Sequence, residues 1–382
     1  MTRRGANLVA AILLMCAVAA GQNGGTGVKA EKPQGGPIVG AIRWDAWHGN
    51  KGGPGLAVER SLGPKQWQWR LPFFAKVVSD NEVKIPGYTP EIIEQEIAYA
   101  RQAGLDYWAF VLYEPESSMS EALNLYLASP RKKDIAFCVL MGPSGLGGEK
   151  DRKERIERLV KLMTEASYQK VMAGRPILYL GFITDAWIKA WGGESRARQI
   201  VDGLRSAVKK AGMANPYIVI LDFKAEQGKR FADILGANAI SAYAIGGNEK
   251  GAPYAALTTK AEEFWEKCKT AGAKVVPIAT AGWDRRPRIE HPVPWEKYQK
   301  PGVGIECYFQ TPTPAELAAH VERAVRWVQK NPDVAESRAI LIYAWNENDE
   351  GGWLVPTLSE GTARVEALSR VLRKGVAGET ER

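Results

Sequence analysis

The sequence predicts an α/β fold, a (β/α)8 TIM barrel with long loops after its first and seventh strands. Short apolar segments rich in β-branched and aromatic residues alternate with longer segments of helical period, a pattern typical of β-α units around a parallel sheet. The chain has 382 residues, 45% hydrophobic and 25% charged, which is enough for such a barrel with inserted loops. The eight predicted strands are residues 38–43, 107–112, 135–140, 177–180, 217–221, 239–242, 275–279 and 339–343.

The segments between these strands carry helix signals. Apolar residues recur at helical spacing in 91–103 and 196–211. Capping-box sequences predict helix starts at Thr259 and Thr313. Glycine tolerates the left-handed conformation that ends many helices, and four glycines stand where a helix should end before a strand: Gly104, Gly212, Gly236 and Gly272.

Two long loops in the sequence favour the barrel over a doubly wound open sheet. About forty residues lie between the first strand and its helix, and about thirty between the seventh strand and Thr313, as inserted barrel loops would. A doubly wound open sheet is the alternative, but the sequence lacks the G-x-G-x-x-G fingerprint typical of its switch point.

The chain divides into four predicted segments. Residues 1–20 have two arginines, an apolar run and small residues at the end, the pattern of a secretory signal peptide. Residues 21–36 are predicted to be a flexible leader, 37–374 the barrel and 375–382 a polar tail. We therefore expect a secreted or periplasmic protein. Met15 precedes Cys16 where a lipobox has a small residue, which argues against a lipid anchor.

Charge and hydropathy restrict the partners. The formal net charge is +8, with 51 basic and 43 acidic residues interspersed and no basic block, so nucleic acid is not an expected partner. The apolar run near the N-terminus is shorter than a membrane span requires. The sequence makes no prediction of the oligomeric state.

The ends of the predicted strands limit the chemistry, because active sites of such barrels lie there. The three histidines form no zinc-binding pair, and the G-x-S-x-G elbow of serine hydrolases is missing. A metal-dependent sugar-nucleotide transferase stays open because Asp349 and Glu350 could hold a cation, although there is no D-x-D pair. We predict neither a metal nor a cofactor.

Carboxylate chemistry remains, and Glu347 and Glu350 are the predicted catalytic pair. They follow the eighth strand directly, in a run of polar residues whose burial costs free energy unless the run faces a solvated pocket. Glycoside hydrolysis needs one protonated and one ionised carboxyl group. A solvated acidic loop over the barrel is the alternative. If the pair is catalytic, the two carboxyl groups should lie within about 10 Å of each other.

Other residues at strand ends are predicted to bind a carbohydrate. Sugar rings stack on aromatic side chains while their hydroxyls pair with polar groups, and the chain has 13 tryptophans. For each tryptophan, packing of a loop onto the barrel is an equally good interpretation. The predicted substrate-binding residues are Trp44, Asp45, Trp47, His48, Glu114, Tyr243, Trp283, Asp284, Trp345 and Asn346.

The segment Trp345-Asn-Glu-Asn-Asp-Glu-Gly351 resembles the W-N-E-x-x-E-G signature of glycoside hydrolase family 99 and the related WbsX-like proteins. The aromatic segment Arg43–Trp47 is similar in placement to one at the end of that family's first strand. Asn348-Asp349 replaces the usual Trp-His, and Gly352-Trp353 replaces a polar pair.

The resemblance implies a retaining (β/α)8 glycosidase without a metal, with endo-action on α-mannosidic linkages. Carried over by position, Glu347 would assist the sugar's own 2-hydroxyl in forming a 1,2-anhydro intermediate, and Glu350 would be the general acid and then the base. The leading hypothesis is a secreted glycoside hydrolase. A WbsX-like glycosyltransferase and a non-catalytic carbohydrate-binding barrel are the alternatives.

Overall fold

The computed structural model describes residues 35–48 and 53–374. The predicted signal peptide, most of the predicted leader and the polar tail 375–382 lie outside these residues. Among the described residues, no helix is both long enough and apolar enough to cross a membrane.

Eight parallel strands form a barrel, as predicted. The strands are β1 (Ile38–Arg43), β2 (Tyr107–Val111), β3 (Ala136–Met141), β4 (Arg175–Gly181), β5 (Tyr217–Leu221), β6 (Ala239–Ser241), β7 (Ile278–Thr280) and β8 (Ala339–Tyr343). Their order in the sheet is β7-β8-β1-β2-β3-β4-β5-β6, and a parallel bridge between Ile240 and Val275 joins β6 to the residues just before β7, which nearly closes the sheet.

Helices follow every strand, and most of them bury their apolar faces against the barrel. The eleven α-helices of the described residues are α1 (Gly53–Leu62), α2 (Pro90–Ala103), α3 (Glu121–Ala128), α4 (Arg152–Thr164), α5 (Asp185–Ala190), α6 (Glu194–Lys210), α7 (Ala225–Leu235), α8 (Tyr254–Thr270), α9 (Arg286–Glu290), α10 (Pro314–Lys330) and α11 (Ala363–Lys374). Short antiparallel pairs join Lys76–Ser79 to Glu82–Lys84, Lys170–Val171 to β4, and Asn346–Glu347 to Gly352–Trp353.

Two local predictions were wrong. Thr259 does not begin a helix: it lies inside α8, where its hydroxyl donates to the carbonyl of Ala255 at 3.0 Å. The seventh strand is shorter than predicted, because Pro277 has no N–H to donate and regular pairing starts only at Ile278. The capping box at Thr313 and the left-handed glycines at helix ends are confirmed.

The barrel interior is filled by tyrosines. Tyr107 on β2 hydrogen-bonds Tyr179 on β4 at 2.6 Å and the carbonyl of Ile340 on β8 at 3.1 Å. A Cβ at Gly40 on β1 would lie 2.3 Å from the Tyr107 ring, so glycine leaves the space that the ring fills. This packing closes the middle of the barrel, and a site must therefore lie at one of its ends.

The long segment between β1 and α2 forms an apolar cluster of its own above the barrel. Trp44, Trp47 and Trp67 pack there against Val58, Leu62 and neighbouring apolar side chains. These tryptophans are nearly fully buried. The packing interpretation of the tryptophans therefore holds for this part of the chain.

A buried ionic network ties α2 to the top of β1 and β8. Glu96 on α2 accepts from Arg43 at 2.8 Å, lies 2.8 Å from Nε2 of His48, and accepts from the indole of Trp345 at 2.9 Å. Burial alone would raise the pKa of Glu96, but the charges and hydrogen bonds of Arg43 and His48 outweigh it and lower the pKa to about 2. Glu96 is therefore ionised in the folded protein at any ordinary pH.

Replacing Glu96 tests this network. The ionised Glu96 stabilises the fold above the unfolded pKa near 4.5, and this contribution is lost as pH falls toward about 2. We expect Glu96→Gln to lower the free energy of unfolding at pH 7 by roughly 3 kcal/mol and to flatten its pH dependence between those values. Urea unfolding at pH 7 measures the first effect, and urea unfolding from pH 2 to pH 4.5 measures the second.

Glu263→Gln is the matched control. Glu263 is exposed on α8 and lies 3.6 Å from Lys267, a surface pair that contributes at most about 1 kcal/mol. Equal losses in the two variants would show that the Glu96 network does not stabilise the barrel.

Candidate active site

The hairpin that follows β8 carries both predicted catalytic glutamates. Asn346–Glu347 pairs antiparallel with Gly352–Trp353, and the amide of Glu350 donates to the carbonyl of Glu347 at 3.1 Å within the connecting turn. Glu347 is 2% exposed and Glu350 7% exposed. Both carboxyl groups therefore lie at the C-terminal end of the barrel, under its top loops.

The hairpin is fixed by a close backbone approach to the loop after β7. The amide of Asp284 donates to the carbonyl of Glu350 at 2.7 Å. Gly351 has φ +88°, and a Cβ there would lie 2.4 Å from the Asp284 nitrogen. A Cβ on Gly282 would lie 2.1 Å from the carbonyl oxygen of Gly351. Only glycine permits this contact at both positions.

One arginine holds three carboxylates of the hairpin. Arg288 on α9 is fully buried and donates to Glu350 at 2.5 Å, to Asp349 at 2.7 and 3.1 Å, and to Glu347 at 3.1 Å. Burial lowers the pKa of Arg288, but the negative charges of Asp349, Glu350 and Glu347 raise it well above its usual value. Arg288 is thus a permanent cation among three acids.

Tyrosines and a second arginine complete the surroundings of the pair. Tyr243 donates to Glu347 at 2.7 Å, and Tyr343 donates to Glu350. Arg285 donates to Glu350 at 3.2 Å. Each glutamate therefore meets its own tyrosine hydroxyl, and the two share one guanidinium.

The pKa of Glu347 differs clearly from that of a free glutamate. Burial raises the pKa of Glu347 well above its usual value, and the charges of Glu350 and Asp349 raise it further. Arg288 and the hydrogen bond from Tyr243 lower it only in part. Glu347 therefore holds its proton to a higher pH than an exposed glutamate does, as acid-base groups in enzymes commonly do.

Three predicted binding residues lie below the pair. Asp45 accepts from Arg43 at 2.8 Å and from Asn346 at 3.1 Å, and His48 contacts Glu96. Asp45, His48 and Asn346 are each at most 2% exposed. The side-chain oxygen of Asn346 also accepts the backbone N–H of Trp44 at 2.9 Å, so the network fixes the base of the hairpin.

Asp284 is surrounded by arginines instead of facing the top surface. Its carboxylate accepts from Arg70 and, at 2.8 and 2.9 Å, from Arg286. Burial would raise the pKa of Asp284, but the hydrogen bond and charge of Arg286 and the charge of Arg70 lower it. The backbone carbonyl of Arg70 accepts from Asn348 at 2.6 Å, which joins this cluster to the hairpin.

The remaining predicted binding residues differ in their burial and in their contacts. Trp44 lies 5.0 Å from the Arg288 guanidinium and donates to Tyr113 at 2.8 Å. Trp283 is half-buried, with its ring centre 5.7 Å from that of Tyr343. Glu114 is exposed and pairs with Arg155. Trp47 and Trp345 are buried in the cores described above, with no surface for a ligand.

The exposed aromatic residues at the top are mostly ones that the sequence did not single out. Trp295 is 39% exposed, with its ring centre 5.4 Å from that of Trp44, and its ring also lies 5.6 Å from the Arg288 guanidinium. Phe182 after β4 is 48% exposed and 5.4 Å from the Tyr243 ring. Two cavities open nearby, one of 360 Å³ beside Phe182 and one of 610 Å³ beside Trp283.

Sequence analysis missed Arg288 and the two tyrosine contacts. The run Arg285-Arg286-Pro287-Arg288 was a signal in the sequence, since three cations close to a predicted acidic site need anionic partners. Which acids they meet depends on the packing of the β7 and β8 loops, and no spacing in the chain reveals it.

Comparisons with known proteins identify the fold. No family model and no curated protein matches this sequence. The fold is similar to two structures of the glycoside hydrolase family 99 endo-α-mannosidase from Bacteroides thetaiotaomicron. One, in complex with BIS-TRIS-propane, has 13% identity and a TM-score of 0.56; the other has 12% and 0.54. Each alignment covers 88% of this chain and 97% of the other. The family 99-like barrel predicted from the tail motif is thereby confirmed as a fold.

Gly351→Ala tests the backbone contact between the two loops. Its Cβ would strike the Asp284 backbone, whereas Gly361, also at positive φ (+54°), has open space around it. We expect Gly351→Ala to lower the free energy of unfolding by about 1–3 kcal/mol more than Gly361→Ala does. Chemical denaturation of both variants measures the difference. Equal losses of unfolding free energy in the two variants would mean that backbone strain alone causes them and that the Cβ at position 351 does not clash with the Asp284 backbone.

Proposed function

We propose that this protein is a secreted or periplasmic glycoside hydrolase that cleaves a polysaccharide or glycan, with Glu347 and Glu350 as the reacting pair. The observation that carries the proposal is that both carboxyl groups contact the single guanidinium of Arg288 at the C-terminal end of the barrel. Two oxygens bound to one guanidinium lie within roughly 8 Å of each other, inside the range of glycosidase pairs.

The fold supports the same proposal. The similar structures are endo-α-mannosidases, and the W-N-E-x-x-E-G motif of this chain lies on the hairpin after β8. We extend the proposal to retaining endo-action on α-mannosidic linkages. In this mechanism Glu350 protonates the leaving glycosidic oxygen, while Glu347 takes the proton of the sugar's 2-hydroxyl as that oxygen bonds to C1.

The second half of the reaction reverses these roles. Glu350, now ionised, removes a proton from water as the water attacks C1 and opens the 1,2-anhydro ring. Glu347 returns its proton to the 2-oxygen, so both carboxyl groups regain their starting protonation states. The configuration at C1 is retained because it is inverted twice.

The surroundings suit these roles. Once it is ionised, Glu347 is a stronger base than an ordinary glutamate because its pKa is raised, and a hydroxyl as weakly acidic as a sugar's requires a strong base. When Glu350 releases its proton, negative charge develops beside Arg288 and Arg285, and these fixed cations stabilise it. Arg288 thus has an electrostatic role in addition to holding the hairpin.

A non-catalytic carbohydrate-binding barrel is the second candidate. The observation in its favour is the burial of both glutamates, which leaves little of either carboxyl group on the surface. A protein that only binds carbohydrate would keep its affinity for glycans when Glu347 and Glu350 are replaced by glutamine, and its wild type would release no sugar.

Reducing-end assays on α-mannans and other glycans distinguish the two candidates. We expect sugar release by the wild type and a loss of about a hundredfold or more in both Glu350→Gln and Glu347→Gln, because each removes a proton-transfer group. Glu306→Gln is the control, since Glu306 pairs with Lys250 at the surface and should leave the rate unchanged. Activity that survived in both Gln variants would move the chemistry to other residues.

The pH dependence tests the role of Glu347. The reactive form needs Glu347 ionised and Glu350 protonated, so kcat/KM should be bell-shaped, and its two limbs report the ionisations of the pair as a whole. Asp349→Asn removes a negative charge that raises the pKa of Glu347, so the profile should move to lower pH than that of the wild type. Rate profiles from pH 4 to pH 9 measure both limbs. An unchanged profile in Asp349→Asn would assign the limbs to other groups.

A further inference from the structure

The 360 Å³ cavity opens between the loops that follow β2, β3 and β4, on the same end of the barrel as the glutamate pair. Tyr113, Arg158 and Phe182 are among the residues that line it. It adjoins the reacting pair through two contacts: Phe182 packs on Tyr243, which donates to Glu347, and Tyr113 accepts from Trp44. The cavity therefore lies beside the pair, with the Tyr243 ring between Phe182 and Glu347.

Phe182 is held in a conformation that a phenylalanine rarely adopts. Its φ is +59°, in the left-handed region where a Cβ is disfavoured. The three other non-glycine residues with positive φ in the described chain are Met172, Ala173 and Arg338. Phe182 is the aromatic one, and nearly half of its side chain is exposed. Burial of the ring does not explain the strain, whereas a ring presented to a ligand does.

Arg158 gives the cavity a positive charge that has no direct ion pair, and the Glu114 and Glu116 carboxylates act on it only from a distance. It donates to the carbonyl oxygen of Tyr113 at 2.8 Å, and within the part of the chain that the structure describes no carboxylate lies within 4 Å of its guanidinium. The other lining arginine, Arg155, is already paired with Glu114 and Asp151. Half-burial lowers the pKa of Arg158, and a bound anion would offset that cost.

We propose that this cavity is a subsite for a sugar ring that carries an anionic group, with Phe182 against the ring face and Arg158 paired with the anion. The inference rests on the proposed glycosidase function and names its substrate class as acidic glycans. A uronate carboxylate and a sulfate ester share the required chemistry, since each presents two or more acceptor oxygens to a guanidinium. Aromatic stacking holds the ring, and the ion pair selects the acidic sugar.

Matched polymers test the ion pair. Glucuronoxylan and its carboxyl-reduced form share one backbone and differ in the uronate group, and sulfated α-mannan and α-mannan share one backbone and differ in the sulfate esters. We expect the wild type to bind one acidic polymer tenfold to a hundredfold more tightly than its neutral match, and the pair that shows the difference identifies the anion. Arg158→Met should abolish this ratio.

Arg326→Met is the control for nonspecific attraction, because it removes one positive charge from a surface pair with Glu322 on α10. It should leave the ratio unchanged. An equal loss in both arginine variants, equal affinity for acidic and neutral polymers, or binding to none of the four would overturn the proposal.

Phe182→Gly separates a stacking role from a structural one. Glycine accepts φ +59° without strain, so the variant should be at least as stable to heat as the wild type. Its affinity for the acidic polymer should fall by about tenfold because the stacking surface is gone. A less stable variant with unchanged affinity would make Phe182 a packing residue and overturn its place in the subsite.

These results are independent of those that test the reaction. Hydrolysis of neutral glycans without preference for acidic ones would overturn the subsite and leave the glycosidase standing. Selective binding of an acidic polymer, with no release of sugar from any glycan in the reducing-end assays, would keep the subsite and remove the proposed catalysis.

Discussion

The architecture of the candidate site depends on the charge balance around Arg288. Three acids crowd into one turn after β8, and their mutual repulsion in a buried place would open that turn without a cation between them. Arg288 supplies that cation from α9, on the loop after β7. The loop after β7 and the hairpin after β8 are therefore joined into one electrostatic unit by Arg288.

A second ionic layer lies below this unit and supports it. Glu96 reaches from α2 to Arg43 and Trp345, and Asn346 connects this layer to the hairpin through Asp45. In the lower layer, cations lower the pKa of Glu96, which stays ionised and holds the surrounding elements in place. In the upper layer, Arg288 offsets the burial and the neighbouring acids only in part, so the pKa of Glu347 is raised. The proposed catalytic role of Glu347 requires such a division between a rigid support and a group with a raised pKa.

The aromatic residues divide in a similar way. Trp44, Trp47 and Trp67 belong to the apolar cluster of the long β1 loop, because a loop of this length needs such a cluster to stay folded. Phe182 and Trp295 are exposed rings that lie near the carboxylate pair on different loops, Phe182 against Tyr243 and Trp295 near Arg288. The proposed subsite contains Phe182 and the charge of Arg158.

The sequence by itself determined the barrel, its two long loops and the position of Glu347 and Glu350 after the last strand, because strand periodicity, helix caps and the tail motif are local along the chain. Tertiary structure alone decided that Arg288 meets Glu347, that Asp45, His48 and Asp284 are buried in ionic networks, and that Phe182 faces the surface. These outcomes depend on which loops meet above the barrel. Residues about sixty positions apart, such as Arg288 and Glu347, become partners through the packing of two loops, and no spacing in the sequence records that packing.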